Sequence, residues 1–439
     1  MNGGRIVTGF LVFAAVTAAV VAGDKLVAQD PPAASGTTVS IMPARQDVAC
    51  PGPQSTPSGV TGTDPELGGA ATGVSASTYL TGAVRPVGAG QASEALVGAT
   101  VHRVSGGDIT GLAAVTCTAP STDQWVVGGA TTVGASARLV LTNPSDASVQ
   151  ATVTSYGELG ELDSREVAIG PNAQGEVLLE GLTIDVAALA VHISSTGTGV
   201  VAALQDSRLN GFQPFGSDWV TASAVGTQLA LPGVGTDGYE NQRATVRLLA
   251  PEGATARLIL ATPEGAALWE GVTSLDLQPG VAVEVSVPAV DVGTVIITAD
   301  SPVVAGAIVQ RTRPATTGVA GDTAQELRWV AGQLADDDNE RSAVTVGYDE
   351  RVVAYSAQGG TFTLADAEGR TVASAVLGPG GMAAVPVKVA PGTVLTATGP
   401  FTWNILLADK DFVSALTPTR TTIDPAAITV EQRRYVPSP

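Results

Sequence analysis

The residues best suited to catalysis are few and widely spaced. The chain has two histidines, His102 and His192, and each lies in an apolar, strand-like segment. A histidine can serve as a general base or a metal ligand, but this setting favours a half-buried structural residue. A serine hydrolase would also show a Gly-x-Ser-x-Gly elbow or an equivalent Ser, His and Asp set, and no such elbow occurs in the sequence.

Acidic residues are more numerous, and a pair of them could hydrolyse a glycosidic bond. Such a pair meets in space and not in sequence, so the sequence leaves this chemistry open. The candidate carboxylates include Glu158, Glu161, Asp163 and Asp218. No cluster of Trp and Tyr that could grip a sugar accompanies them, so we predict that the protein is not an enzyme. A glycan-modifying enzyme stands third among the functional interpretations.

The run from Asp336 to Glu340, Asp-Asp-Asp-Asn-Glu, is the best candidate for binding a cation. Ca²⁺ takes carboxylate and carbonyl oxygens as ligands, but this run lacks the glycine of a helix-loop-helix calcium site. A solvated loop between domains is the favoured interpretation, and the sequence does not decide whether a cation binds there. We predict no metal site and no cofactor elsewhere.

A large aromatic residue followed by valine recurs along the chain. The four positions are Trp125, Trp219, Trp329 and Phe412. Because the residue recurs at the same place in each repeat, we predict that it packs the end of a domain and does not stack on a sugar. Trp403 and Trp269 fall outside this pattern. Trp269, with Phe212 and Phe215 of one loop, forms the predicted ligand surface.

These residues belong to a long, acidic chain with few aromatic residues. It has 439 residues, with 22 Lys and Arg against 41 Asp and Glu, and a formal net charge of −19. This acidity argues against nucleic acid as a partner, because phosphate binding needs a basic surface. Aromatic residues make up only 4% of the chain, so its cores must be built from Val, Ala, Leu, Ile and Thr, which favours β structure.

The N-terminus carries an export signal. Arg5 precedes an unbroken apolar run from Ile6 to Ala22, which is short for a membrane span and long for a signal peptide core. Residues 1–28 are therefore predicted to be either a signal peptide or a membrane anchor, and residues 29–38 a linker. In both cases the positive residue faces the cytoplasm. We expect the rest of the chain outside the cell, secreted or anchored, with membrane contact only through the N-terminal segment.

The chain has two cysteines, Cys50 and Cys117. An even number of thiols in an exported chain predicts a disulfide bond between them. Two free thiols are the alternative. A metal site is disfavoured, because two distant cysteines with no adjacent histidine do not make a ligand set.

The elements that must position these residues are short strands in long repeats. The recurring aromatic residues, and the Pro-Asn or Pro-Gly corners at Pro171, Pro279 and Pro379, are spaced by about 80 to 110 residues. Residues 281–287 alternate valine with Ala, Glu and Ser, as in a strand with one buried face. The apolar run 303–309 suits a central strand covered on both sides. Repeats of this length, with frequent turn signals, are typical of antiparallel β-sandwiches.

The predicted fold class is therefore all-β, with tandem antiparallel, immunoglobulin-like β-sandwich domains after the N-terminal signal or anchor helix. Residues 39–127 are predicted to form the disulfide-bearing domain. Three further sandwiches are predicted at 128–225, 226–333 and 334–416. Residues 417–439 form the predicted C-terminal tail, loosely docked or disordered.

Three blocks of sequence carry a family resemblance. Cys117 to Gly129, Leu139 to Pro144 and Arg208 to Trp219, the last followed by Leu231-Pro232-Gly233, resemble a family of exported actinobacterial proteins that is catalogued only as a domain of unknown function. The resemblance covers most of the chain from Cys50 onward. It implies a role in the cell envelope, and it implies no catalytic residues.

The sequence as a whole predicts a non-catalytic exported protein of the cell envelope that acts by binding or by structural support. The first alternative is an accessory subunit of an envelope glycan-assembly system. The predicted partner is accordingly a cell-envelope glycan or a membrane protein.

Overall fold

The structure is a computed structural model of the chain. It describes residues 36–41, 47–55, 72–94, 97–106, 109–211, 213–235, 243–267, 269, 272–314, 323–335, 337–420 and 426–431. The predicted signal or anchor at 1–28 and most of the predicted linker at 29–38 lie outside these ranges. No helix in the described ranges is long and apolar enough to cross a membrane.

The described chain is built from strands, with a single 3-10 turn at Leu179–Gly181 among the described residues. The strands are β1 (Gly36–Ile41), β2 (Val48–Cys50), β3 (Thr72–Leu80), β4 (Val84–Val87), β5 (Gly90–Ser93), β6 (Gly98–Gly106), β7 (Gly111–Thr116), β8 (Asp123–Val127), β9 (Ala135–Asn143), β10 (Val149–Gly157), β11 (Gly160–Ile169), β12 (Ala173–Leu178), β13 (Ala190–Ser195), β14 (Val201–Asn210), β15 (Gln213–Ser223), β16 (Gly226–Val234), β17 (Arg243–Leu249), β18 (Ala254–Thr262), β19 (Gly265–Ala267), β20 (Leu275–Leu277), β21 (Val283–Ser286), β22 (Gly293–Pro314), β23 (Thr323–Ala331), β24 (Gln333–Leu334), β25 (Arg341–Val344), β26 (Asp349–Ser356), β27 (Gly360–Ala365), β28 (Thr371–Leu377), β29 (Gly381–Val387), β30 (Val394–Ala397), β31 (Thr402–Asp409), β32 (Phe412–Leu416), β33 (Thr419–Arg420) and β34 (Ala426–Glu431).

The predicted all-β fold of antiparallel β-sandwiches is confirmed. Strand β10 buries Val149, Ala151 and Val153 and leaves the residues between them more exposed, so its side chains alternate between core and solvent. The apolar run 303–309 within β22 is buried at every position. Both patterns follow from the sequence, because an alternating strand has one covered face and an apolar strand has two.

One sandwich has two four-stranded layers joined by β15. One layer has the order β11-β10-β13-β8 and the other β15-β14-β9-β12. Most of β15 pairs with β14, but Ala222 and Ser223 pair with β8 in the opposite layer. Side chains from both layers, including Val153 and Leu139, share one core. A single strand therefore connects the two layers.

The next sandwich is connected in the same way by its longest strand. Strand β22 has 22 residues. Its residues 294–299 pair with β18, whereas its residues 304–310 pair with β17. Its two halves thus belong to the two layers that enclose a core of residues such as Leu258 and Val246.

The last sandwich stacks a five-stranded sheet, β28-β27-β30-β25-β33, on a four-stranded sheet, β29-β26-β31-β32. Its core contains Phe362 and Trp403, and it also contains Val101, Leu112 and Ala114 of β6 and β7. Apolar residues of the predicted disulfide-bearing domain therefore complete the core of the last sandwich.

The predicted domain boundaries stay predictions, but several strand pairs cross them. Strand β8 ends at the predicted boundary of residue 127 and pairs with β13. Strand β33, in the predicted tail, pairs with β25. Residues Arg45–Thr422 form one compact unit. In the second unit, β1 and β34 make a two-stranded antiparallel sheet that links the end of the predicted linker to the predicted tail.

Candidate functional site

The predicted disulfide bond joins Cys50 and Cys117. Cys50 ends β2 and Cys117 follows β7, and both are buried. Hydrogen bonds between Ala49 and Thr118, in both directions, hold the flanking backbones side by side. The disulfide prediction is therefore confirmed.

The recurring tryptophans are packing residues, as predicted. Trp125, Trp219 and Trp329 are all buried. Trp219 packs among small and branched side chains of three strands, including Ala113 and Val140. These indole faces are covered by protein.

The three residues of the predicted ligand surface lie in different surroundings. Trp269 is half-buried and packs on the core that surrounds Leu258. Phe215 is half-buried beside a small cavity with Arg243 and Gln310. Phe212 lies outside the described residues. A ligand role for these residues stays a prediction, and the outlying Trp403 is fully buried.

The two histidines are strand residues in different settings. His102 is buried, which is deeper than predicted, and burial lowers its pKa to about 4. His192 is partly exposed, and its ring stacks on Trp125 with 4.5 Å between the ring centroids. The Nε2 atom of His192 lies 3.0 Å from Oδ2 of Asp123.

The carboxylates considered for glycoside hydrolysis lie either in the β10–β11 hairpin or in β15. Glu158 lies in the two-residue turn between β10 and β11, and Glu161 lies at the start of β11. Glu158 accepts hydrogen bonds from the N–H groups of Ala187 and Ala188. Asp218 is fully buried in β15. Glu158 thus holds a loop, and Asp218 has no access to solvent.

In the acidic run from Asp336 to Glu340, the second residue, Asp337, forms two ion pairs. Oδ2 of Asp337 lies 2.6 Å from a guanidinium nitrogen of both Arg341 and Arg420. Burial acts to raise the pKa of Asp337, but hydrogen bonds from Arg420 and the charge of Arg341 outweigh it and lower the pKa. Asp336 lies outside the described residues, and the described part of the chain contains no group of three metal-ligating side chains.

A buried polar cluster joins four strands that are far apart in sequence. Asp218 in β15 accepts a hydrogen bond from the backbone N–H of Trp329 in β23 and another from the hydroxyl of Ser414 in β32, both at 2.8 Å. Ser414 accepts one in turn from the N–H of Ala114 in β7. Nearby, Glu326 accepts the N–H of Leu112. Each of the four predicted sandwich domains contributes a strand or an adjoining residue to this junction.

Burial controls the protonation of this cluster. It raises the pKa of Asp218 to about 8, against the opposing effect of the hydrogen bonds from Trp329 and Ser414. It also raises the pKa of Glu326 well above its usual value, although Arg313 opposes this. A carboxyl group of this kind is poised to be neutral near pH 7.

A cavity of about 480 Å³ lies beside the ion pairs of Asp337. Its wall includes Val201, Val225 and Leu334, with Asp337, Arg341 and Arg420 at one side. Asp337 balances only one of the two arginines, but Asp123 also lines the cavity, so its acidic and basic side chains are equal in number and it offers little net charge for an ionic ligand.

The second cavity, about 650 Å³, is basic and is called the cationic cavity below. It lies at one end of the β29-β26-β31-β32 sheet, on the face that carries Arg351 and Leu406, which are paired in register. Its basic residues are Arg311, Arg328, Arg351, Lys388 and Lys410, and its acidic residues are Asp349 and Glu350. An acidic protein thus concentrates positive charge at one concave place.

Sequence reasoning did not find the cationic cavity. Its residues come from six strands and the turns between them, so no motif connects them. One signal was available: the chain has only three lysines, Lys25, Lys388 and Lys410, and two of them line this cavity.

Of the comparisons with known proteins, the one with family models agrees with the family resemblance. No curated protein matches the chain. A solved structure titled "Biofilm associated protein - BSP domain" aligns with 10% identity and a TM-score of 0.15, covering 80% of this chain and 66% of that chain. A family model matches residues 69–389. The chain therefore belongs to the family of unknown function DUF5719.

Proposed function

We propose that this protein is a non-catalytic exported protein of the cell envelope, which binds an envelope glycan through the cationic cavity and acts as a structural support. The observation that carries the proposal is the cavity itself. It is large enough for a sugar-sized ligand, and five basic side chains line it in a chain of net charge −19. A concave basic surface attracts an anionic ligand and excludes cations.

The state of the other reactive groups supports binding over catalysis. Glu158 holds the backbone of a loop, Asp337 is paired with two arginines, and Asp218 is buried and hydrogen-bonded. General acid and base groups must reach the substrate within hydrogen-bonding distance. None of these three carboxylates meets that need, because each is already engaged in holding the fold.

The experiment is co-sedimentation with isolated cell walls. The exterior portion of the chain, from about Gln29, is mixed with walls before and after their attached polysaccharide is removed. We expect it to pellet only with the intact walls. If it stays in solution with both, glycan binding is wrong, and a membrane protein becomes the partner to test.

A further inference from the structure

The two lysines of the cationic cavity are its most available positive charges. Both side chains are exposed. None of the ion pairs in the described part of the chain includes either of them, whereas Arg351 lies 3.8 Å from Asp291 and Arg311 lies 3.7 Å from Asp411. Lys388 and Lys410 can therefore approach a ligand without first breaking an ion pair.

The floor of the cavity adds positive potential behind these lysines. Arg311 and Arg328 line it and are buried. Of the two lining acids, Glu350 is directed to the backbone, because its Oε1 accepts the N–H groups of Val346 and Gly347 at 2.7 and 3.0 Å. Asp349, the other lining acid, is exposed and begins β26. Charges near a low-dielectric wall act more strongly than charges in open solvent.

Lys410 occupies a backbone conformation that its residue type disfavours. It lies in the two-residue turn between β31 and β32, where Asp409 pairs with Phe412, and it has a φ of 57°. Such a position in a hairpin turn favours glycine or asparagine, because a Cβ atom is crowded there. A residue that lines a cavity in a disfavoured backbone conformation points to a function of its side chain.

We propose that the cationic cavity binds a phosphate ester carried on a sugar, with Lys388 and Lys410 as the direct ligands of the phosphate. This inference rests on the proposed function, since it names the chemical class of ligand for the same cavity. A phosphate carries more than one negative charge and three acceptor oxygens, which suits two lysines supported by arginines better than a single carboxylate does.

Other residues that line the cationic cavity provide apolar area for the sugar part of the ligand. Tyr348, which is half-buried, and Pro391, which is exposed, also line the cavity. Aromatic and proline rings provide flat apolar area against which a sugar ring can pack. The cavity therefore combines basic side chains with flat apolar area, and a sugar phosphate needs both.

The test measures binding of a hexose 1-phosphate, inorganic phosphate, glucuronate and the uncharged hexose to the full exported chain by isothermal titration calorimetry. We expect the hexose 1-phosphate to bind best, phosphate to bind more weakly, and the other two to bind least. Affinity should fall as salt is raised, because exposed lysines are screened. Equal binding of glucuronate and the hexose phosphate, or no binding of either phosphate, would overturn the assignment.

Two variants test the residues. Lys410→Gly removes the charge and the strain together, so the protein should keep its melting temperature within a few degrees while its Kd for the hexose phosphate rises about tenfold. Lys388→Ala should raise the Kd similarly. The control is Arg257→Gln, an exposed residue of β18 outside the cavity, which changes the net charge equally and should leave the Kd unchanged. If the three variants lose affinity equally, only the overall charge matters and the site is wrong.

Failure of this inference is distinguishable from failure of the proposed function. If the chain pellets with intact walls and Lys410→Gly pellets equally well, wall binding stands and the phosphate site is wrong. If the hexose phosphate binds but the chain does not pellet with walls, the site stands and the envelope glycan is wrong.

Discussion

Individual buried side chains connect parts of the chain that are far apart. Asp218 and Ser414 are separated by 196 residues, yet their side chains are hydrogen-bonded at 2.8 Å. The carboxyl group also binds the backbone of Trp329. A neutral carboxyl costs less to bury than a carboxylate, so the raised pKa of Asp218 is the expected result of placing it in this junction.

This burial predicts a pH dependence of stability that Asp218→Asn should weaken. The pKa of Asp218 is about 8 in the folded protein, against about 3.8 for its ordinary value. Between these two values the unfolded chain loses a proton that the folded chain keeps, so the free energy of unfolding falls as pH rises from about 4 to 8. Asparagine keeps an acceptor for Trp329 without the ionisation. The variant should therefore melt a few degrees higher than the wild type at pH 8, and the difference should vanish near pH 4.

The measurement is thermal unfolding by circular dichroism at pH 4.5, 6 and 8. The melting temperature of the variant should still fall with rising pH, but less steeply than that of the wild type, because burial also raises the pKa of Glu326. The control is Asp163→Asn, on the exposed side of β11, which changes the charge equally. Its melting temperature should depend on pH as that of the wild type does. Identical slopes for Asp218→Asn and the wild type would show that Asp218 is ionised in the folded protein.

Some of these residues could be predicted from the sequence and others could not. The Cys50–Cys117 bond follows from the presence of only two thiols, and the buried tryptophans follow from their recurrence. The roles of Asp218 and Lys410 depend on partners that the topology brings together from other strands. A local pattern contains no information about such partners, so neither the junction nor the cationic cavity was predicted.

At the scale of strands, close approaches of backbone explain where glycine is needed. Gly216 in β15 has a φ of 95°, and a Cβ atom there would lie 2.6 Å from the backbone nitrogen of Leu327 in β23. Strand β15 can therefore pack against β23 only because this position has no side chain. Asp218 and Trp329 form their hydrogen bond next to this approach.

Gly216→Ala is expected to weaken this strand contact. The substitution combines an unfavourable φ with overpacking, so we expect a loss of about 3 kcal/mol or more in the free energy of unfolding. Gly211→Ala in the turn of the same hairpin is the control, because Gly211 has a φ of 58° but no atom within 4 Å of the added Cβ. It should cost only about 1 kcal/mol. Urea unfolding measures both, and equal losses would contradict a tight packing of β15 on β23.

The element scale also shows what periodicity can and cannot predict. The alternation of residues 281–287 correctly predicts one-sided burial, since Val283 and Val285 of β21 are half-buried while Glu284 and Ser286 are exposed. The apolar run in β22 correctly predicts two-sided burial. The passage of β22 from one layer to the other does not follow from its sequence, because Ser301 and Pro302 at its middle read equally well as a turn between two strands. Pairing with β18 on one side and β17 on the other decides the outcome.

At the scale of the whole molecule, repeats of about 100 residues suggest that each domain has its own core, but within residues 45–422 one strand can contribute to the cores of two sandwiches. Leu112 of β7 lies in the core of the last sandwich, whereas Ala113, the next residue, packs against Trp219. The two faces of one strand thus belong to two different cores. Strand β7 also ends immediately before Cys117, so the disulfide bond fixes an element on which two sandwiches depend.

Loss of the disulfide bond should therefore destabilise residues 45–422 together. The bond closes a loop of 67 residues, which in the chain-entropy model contributes roughly 4 kcal/mol. In the variant Cys50→Ser/Cys117→Ser, differential scanning calorimetry should show the main transition at a lower temperature and still undivided. The wild type under reducing conditions should match the variant, because the same bond is absent in both. A new low-temperature transition with the main one unmoved would show that the first domain melts alone, as separate repeat cores would require.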